Sequence, residues 1–232
     1  MITWLLVALG VAWGSGFAET LTQAANADLS DTERMVLFES LVAEYPGNKE
    51  SLVTIAQKDD APPRERWVAI RVLGQTGSRE LSPLIIGLCS DSRPTIRVAA
   101  LSAIGDLKPN NAAEEVVKAL KDPALVVRGT AADTLAILKD ITAIAPLEEA
   151  LADPSNYYRG QSVWARSRFV LALGAIGSRN AFPALQQALS DDDPQVVEST
   201  LTALRQIVGY DFAEGRTPEE HIAAWQRWLA AQ

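Results

Sequence analysis

Histidine and cysteine occur once each in the 232 residues, as His221 and Cys89. A single cysteine excludes an internal disulfide framework, and one histidine with one cysteine cannot assemble a His/Cys metal site. The chain has no Gly-x-Ser-x-Gly elbow, phosphate-binding glycine loop or dinucleotide fingerprint, the motifs that carry acyl-transfer, nucleotide and hydride chemistry. Positive charge is scarce: 21 Lys plus Arg stand against 29 Asp plus Glu, for a net charge of −8. A phosphate backbone would be repelled overall, which argues against general nucleic-acid binding. The adjacent carboxylates Glu114-Glu115 and Glu148-Glu149 read as solvated helix faces, His221 as exposed among glutamates, and Cys89 as a small core hydrophobe. No catalytic residue, metal or cofactor is expected.

What the chain has is self-similarity. Arg66, Arg97 and Arg128 are spaced 31 residues apart, and each opens the same frame, best seen in Arg97-Val-Ala-Ala-Leu-Ser-Ala-Ile-Gly105. A fixed period of this size marks a repeat protein. Around Arg97, the apolar residues Ile96, Ala99, Ala100, Ala103, Ile104 and Leu107 follow the spacing of one helix face. The paired alanines let two helices approach closely. Gly74 and Gly105 are expected to close their helices in a left-handed C-terminal conformation. A second periodic run follows, such as Ala113, Val116, Val117 and Leu120, and ends at an aspartate. One repeat is therefore helix, short turn, helix.

The pattern Asp, then Arg-x-Ala-Ala-x-x-Ala-Leu-Gly-x-x-Gly, resembles the short bacterial HEAT repeats, also called the HEAT-like repeats of the bilin lyases. Arg97, Ala99, Ala100, Ala103, Ile104 and Gly105 match it, as do Arg66, Ala69, Leu73, Gly74 and Gly77. The period is shorter than the roughly 40–47 residues of longer HEAT and armadillo units. The resemblance implies an all-α fold, a right-handed α-α superhelix (a HEAT-repeat solenoid) of about six helix pairs. It implies little about function, because repeat scaffolds carry unrelated tasks.

The chain then divides as follows. Residues 1–18 are uncharged and mostly apolar, and no Lys or Arg precedes Arg34. They read as a signal peptide ending at Gly16-Phe17-Ala18, or at Ala25-Asn26-Ala27, with an uncleaved anchor as the alternative. Residues 19–30 read as a linker. Repeats are expected at 31–61 (an N-terminal cap), 62–92, 93–123, 124–154, 155–192 and 193–210, with a capping helix in 211–232. Thr217, Pro218 and Glu220 form a helix-start signal. Gly209-x-Asp211-Phe212 followed by Trp225-x-x-Trp228 resembles the ending of many exported bacterial HEAT-repeat proteins, with the tryptophans sealing the last repeat.

Two features invite a role. Asp60, Asp91, Asp122 and Asp153 precede Arg66, Arg97, Arg128 and Arg159 by six residues each. These pairs read as a structural ladder, with aspartates at helix starts and arginines nearby. The period breaks once: Arg128 to Arg166 is 38 residues, an insertion of seven within 154–166. Gly160 and the Gly-Gln-Ser sequence point to a loop followed by a helix. Here Tyr157, Tyr158, Arg159, Trp164 and Arg168 gather the residue types enriched at binding hot spots; local packing is the other reading.

The expectation is a non-catalytic protein-interaction scaffold in the bacterial cell envelope, periplasmic or secreted. It would bind a protein or peptide on a concave face lined by the second helices, or on the 154–168 insertion. Glu114, Glu115, Glu148 and Glu149 would tint that face acidic and favour a neutral or basic partner. Membrane association is expected only if residues 1–18 are an uncleaved anchor. The resemblance offers one alternative, a bilin-lyase-like enzyme or subunit holding a tetrapyrrole. DNA-binding HEAT-like proteins resembling alkylpurine glycosylases would need a basic groove that this composition lacks.

Overall fold

A computed structural model describes residues 16–159, 161–211 and 217–232. Thirteen α-helices, six three-residue 3-10 turns and one two-stranded hairpin make up the regular structure of those residues. Most of the signal-peptide expectation, residues 1–15, and Phe212 of the C-terminal motif lie outside them. Among the described residues no helix is long and apolar enough to cross a membrane.

The chain forms two compact units, residues 1–109 and 110–232; the division falls inside the stretch 93–123 expected as one repeat. The first unit holds α1 (Phe17–Ala24), α2 (Asp31–Ala43), α3 (Tyr45–Gln57), α4 (Pro63–Gln75), α5 (Ser82–Gly87) and α6 (Pro94–Leu107). The second holds α7 (Ala113–Lys118), α8 (Leu125–Leu138), α9 (Ile144–Ala152), α10 (Ala165–Ile176), α11 (Phe182–Ala188), α12 (Pro194–Val208) and α13 (Pro218–Leu229). Between α9 and α10 lies the hairpin of β1 (Tyr157–Tyr158) and β2 (Gln161–Ser162). In each unit the first helices of successive pairs pack on one another, α4 on α6, and α10 on both α8 and α12. The fold is an all-α HEAT-type solenoid.

The helices start where the sequence says they should. Proline occupies the first turn of α4, α6, α12 and α13, where its missing N–H is not needed. Ser30 with Glu33, and Thr217 with Glu220, form reciprocal capping boxes at α2 and α13. The three-and-four spacing buries one broad face: Ile96, Ala99, Ala100, Ala103 and Ile104 of α6 are wholly inaccessible. Each such aliphatic side chain the size of isoleucine contributes about 1.5–3 kcal/mol on burial. At the end of the chain, Trp225 is buried and Trp228 meets both it and Phe182 edge to face, at 5.7 and 5.5 Å.

Three expectations need correction. Gly74 and Gly105 do not end their helices; both lie within the helical spans of α4 and α6. A β-carbon on Gly74 would stand 2.7 Å from Ala103 Cα, and one on Gly174 would stand 2.6 Å from Ala203 Cα. These glycines are the points where neighbouring first helices cross. The left-handed residues come three or four positions later, at Gly77, Lys108, Lys139, Gly177 and Gly209. Next, the expected linker 19–30 begins inside α1, whose Thr20, Leu21 and Ala24 are buried. Three small or apolar side chains at helical spacing sufficed to dock it. Last, His221 is not exposed: its ring sits half-buried, 3.1 Å from the Asp211 carboxylate.

Candidate functional site

The arginine ladder exists, with different contacts from those the six-residue spacing suggested. Arg97 and Arg128 each reach back six residues to a main-chain carbonyl, of Asp91 and Asp122, at 2.9 and 2.8 Å. In two repeats the aspartate carboxylate instead meets the arginine of the preceding repeat, 25 residues earlier. Arg66 Nη2 donates to Asp91 Oδ2 at 2.6 Å, and Arg166 Nη2 to Asp191 Oδ2 at 2.6 Å. Arg66 is 1% exposed and also donates from Nε to the Ala56 carbonyl. Burial alone would raise the Asp91 and Asp191 carboxyls. The main-chain N–H groups of Arg93 and Asp193 and the arginine partners outweigh it and hold both below the ordinary 3.8.

Two members drop out of the ladder. Asp60 is exposed and pairs with Lys58, while its neighbour Asp59 faces Arg66 at 3.4 Å. Arg159 stands at the hairpin turn over the Tyr158 ring. Asp153 caps the turn Pro154–Asn156 by accepting from the Ser155 N–H, which holds its carboxyl low.

The seven-residue insertion folds into this short turn and the hairpin. Asn156, which the sequence reading passed over, anchors it. Its side chain accepts from Arg128 Nε at 2.8 Å and donates to the Ala150 carbonyl at 2.8 Å, while its own carbonyl accepts from Val163 N at 3.1 Å. It is 1% exposed. Asn156 thereby replaces the aspartate that Arg66 and Arg166 find in their following repeats. The hairpin's linking residues, Arg159 and Gly160, lack the Asn-Gly or Asp-Gly signature that announces such a turn, and Arg159 adopts φ +53°.

The five residues proposed as a binding cluster divide among three settings. Tyr157 lies under Arg166, whose guanidinium carbon is 4.2 Å from the ring centroid. Arg166 is thereby held from every side: Nε donates to the Leu151 carbonyl, and Nη1 donates to Ser162 Oγ and Asp191 Oδ1. Tyr158 and Arg159 form the hairpin's tip, with Tyr158 66% exposed. Trp164 lies along α8, where a β-carbon on Gly129 would come within 2.2 Å of its ring. Arg168 stands over the indole at 5.9 Å and donates to both Asp133 carboxylate oxygens at 3.0 Å. Local packing thus explains part of the cluster, since Gly129 makes room for the indole. Trp164 nevertheless remains 44% exposed, and Tyr157 38%.

Beside the hairpin a groove runs along α11. It consists of two adjoining clefts of about 500 and 420 Å³ that share Tyr157, Arg166, Gln187 and Asp191. The acidic tint expected from four second-helix glutamates is halved: Lys118 pairs with Glu114 and Glu115, and Lys121 with Glu149. Among the described residues Glu148 alone of the four has no ion-pair partner, and burial pushes its carboxyl up. Cys89 is buried in the first unit. Among the described residues no group of three or more His, Cys, Asp or Glu side chains is placed to hold a metal ion.

Two family models match the chain. The model for HEAT repeats matches residues 50–123 and 96–165, and that for the PBS lyase HEAT-like repeat matches residues 165–191. No curated protein matches. Among solved structures, the complex of CpcE and CpcF of phycocyanin lyase from Nostoc sp. PCC7120 aligns at 25% identity with a TM-score of 0.59. That alignment covers 69% of this chain and 65% of the other, so this chain spans just under two thirds of its length. A designed armadillo repeat protein in complex with the peptide (KR)4 aligns at 19% identity and a TM-score of 0.55, over 83% of this chain and all of the other. The archaeal HEAT-like repeats protein from Thermococcus onnurineus NA1 aligns at 14% identity and 0.53, over 94% and 98%. The last two likenesses are of fold alone.

Proposed function

The chain belongs to the HEAT-repeat family, and from that premise we propose that it is a non-catalytic scaffold that grips a protein partner through the hairpin of its insertion. The observation that carries this is the exposure of Tyr158 and Trp164 on a segment fixed from beneath by Asn156 and Arg166. Large aromatic surfaces held rigidly bind with little further loss of conformational freedom. The test is the double variant Tyr158→Ala with Trp164→Ala, which should abolish partner binding in a chain that keeps the helical content of the parent, with a melting temperature lowered only by loss of the Trp164 packing on Gly129. Unchanged binding by a folded double variant would sink the idea.

The same reading places the chain in the bacterial cell envelope, carried there by the apolar residues 1–18. The packing of α1 bears on where such a leader would be cut. Arg34 Nη1 donates to the carbonyls of Ala24 and Asn26 at 3.0 and 3.2 Å, and Leu21 is buried. Cleavage after Ala27 would strip these contacts away; cleavage after Ala18 keeps them. Sequencing the N-terminus of the mature chain should therefore find Glu19. An intact Met1 in the cytoplasm would contradict export.

One specific likeness favours a second reading, an enzyme subunit that binds a tetrapyrrole: the PBS lyase HEAT-like repeat at 165–191 and the 25% identity to the phycocyanin lyase complex. A shift in visible absorbance on mixing the purified chain with an open-chain tetrapyrrole would support it. No shift would count against it.

A further inference from the structure

We propose that the groove along α11 is the seat of an extended segment of the protein partner, one in which an apolar side chain lies beside a lysine or arginine. The proposal rests on the scaffold reading above and names the chemistry of what is held. Each of the two clefts has the size of a small-ligand pocket, and their walls differ. The smaller is floored by Leu151, Ala152, Pro183, Ala184 and Ala188, a surface suited to an aliphatic or aromatic side chain. The larger is walled by Gln161, Ser162 and Gln187, and by the acidic corner Asp191 to Asp193.

Charge decides what fits. One arginine, Arg166, lines the groove against four carboxylates, Glu148, Asp191, Asp192 and Asp193. Asp191 is matched by Arg166, and Asp193 is engaged in capping α12 through the Gln195 N–H. Asp192 at the acidic corner and Glu148 beside the apolar floor have no hydrogen bond or ion pair among the described residues. The groove therefore carries an uncompensated negative charge at each end, one of them partly desolvated. An acidic or phosphorylated segment would be repelled, and a cationic side chain would relieve whichever end it reaches. The side-chain amides of Gln161 and Gln187 make no hydrogen bond within the described chain, which leaves a donor and an acceptor on each for the main chain of an extended segment. The hairpin wall is firm, because Asn156 and Arg166 fix it from below.

The experiment measures fluorescence anisotropy of two labelled peptides with the full-length chain, one of alternating lysine and leucine, the other of alternating glutamate and leucine. The lysine peptide should bind and the glutamate peptide should fail to compete. Glu148→Gln combined with Asp192→Asn should weaken binding roughly three- to tenfold. Gln187→Trp, which fills the groove from an exposed position, should abolish it with the melting curve unchanged. Equal binding of the glutamate peptide, or full binding by a folded Gln187→Trp chain, would overturn the groove. A protein cross-linked at residue 158 whose capture survives Gln187→Trp would also overturn the groove and leave the scaffold reading standing. Absence of any protein cross-linked at residue 158 would overturn the scaffold reading, and the groove with it.

Discussion

Arg166 shows how much one side chain can organise. It joins the end of α9, the hairpin and the start of the next repeat through the Leu151 carbonyl, Ser162 and Asp191, with the Tyr157 ring stacked beneath it. Its removal leaves the Asp191 carboxylate, itself mostly buried, without its partner. Arg166→Met is therefore expected to cost about 3–5 kcal/mol in chemical denaturation, and Arg66→Met about as much. The acid response follows from the same pairs. Asp91 and Asp191 are held below 3.8 in the folded chain, so their contribution is fully present above the unfolded value. It is lost as pH falls through the lower folded value. The melting temperature should drop steeply below about pH 4, and Arg166→Met should flatten that drop. A parent chain equally stable at lower pH would contradict the ladder. The arginines themselves were legible from the 31-residue frame. Their partners were not, because spacing along the chain cannot tell a contact to a residue's own aspartate carbonyl from a contact to the carboxylate of the next repeat.

At the scale of the element, the glycines and the left-handed turns carry the lesson. Gly174→Val would press a β-carbon bearing two methyl groups into Ala203, whose Cα is already 2.6 Å from where that β-carbon would stand. A loss of about 1–3 kcal/mol or more is expected, seen as a lower midpoint in urea. A midpoint equal to the parent would show that the crossing is looser than described. Lys108, by contrast, adopts φ +48° at the end of α6, a position where glycine sits at Gly177 and Gly209. Lys108→Gly should raise stability by up to about 1 kcal/mol, because the left-handed strain is relieved, although a more flexible unfolded chain offsets part of the gain. The repeat motif was readable from the sequence, yet the first glycine of Gly-x-x-Gly was read as a helix end because both roles favour the smallest residue. The hairpin was readable only as a loop. Its strands are two residues long, and its anchor, Asn156, differs in type from every residue it replaces.

For the whole chain, the period of 31 residues and the paired alanines were enough to reach an all-α solenoid, since each helix pair buries its face only against its neighbours. The binding face was less legible. Charge along the sequence suggested a row of free glutamates, but Lys118 and Lys121 pair with three of them and offset two of their charges. Three of the exposed aromatic side chains, Tyr157, Tyr158 and Trp164, gather at the insertion, where the period breaks. The most direct measurement is site-specific photocross-linking in intact cells, with the cross-linker at position 158 on the hairpin tip and, for comparison, at position 141. Ile141 is as exposed as Tyr158, at 66%, but lies in a regular turn between α8 and α9. One dominant protein captured at 158 and absent at 141 is the expected result. Equal capture at both positions, or none at 158, would contradict a partner-binding hairpin.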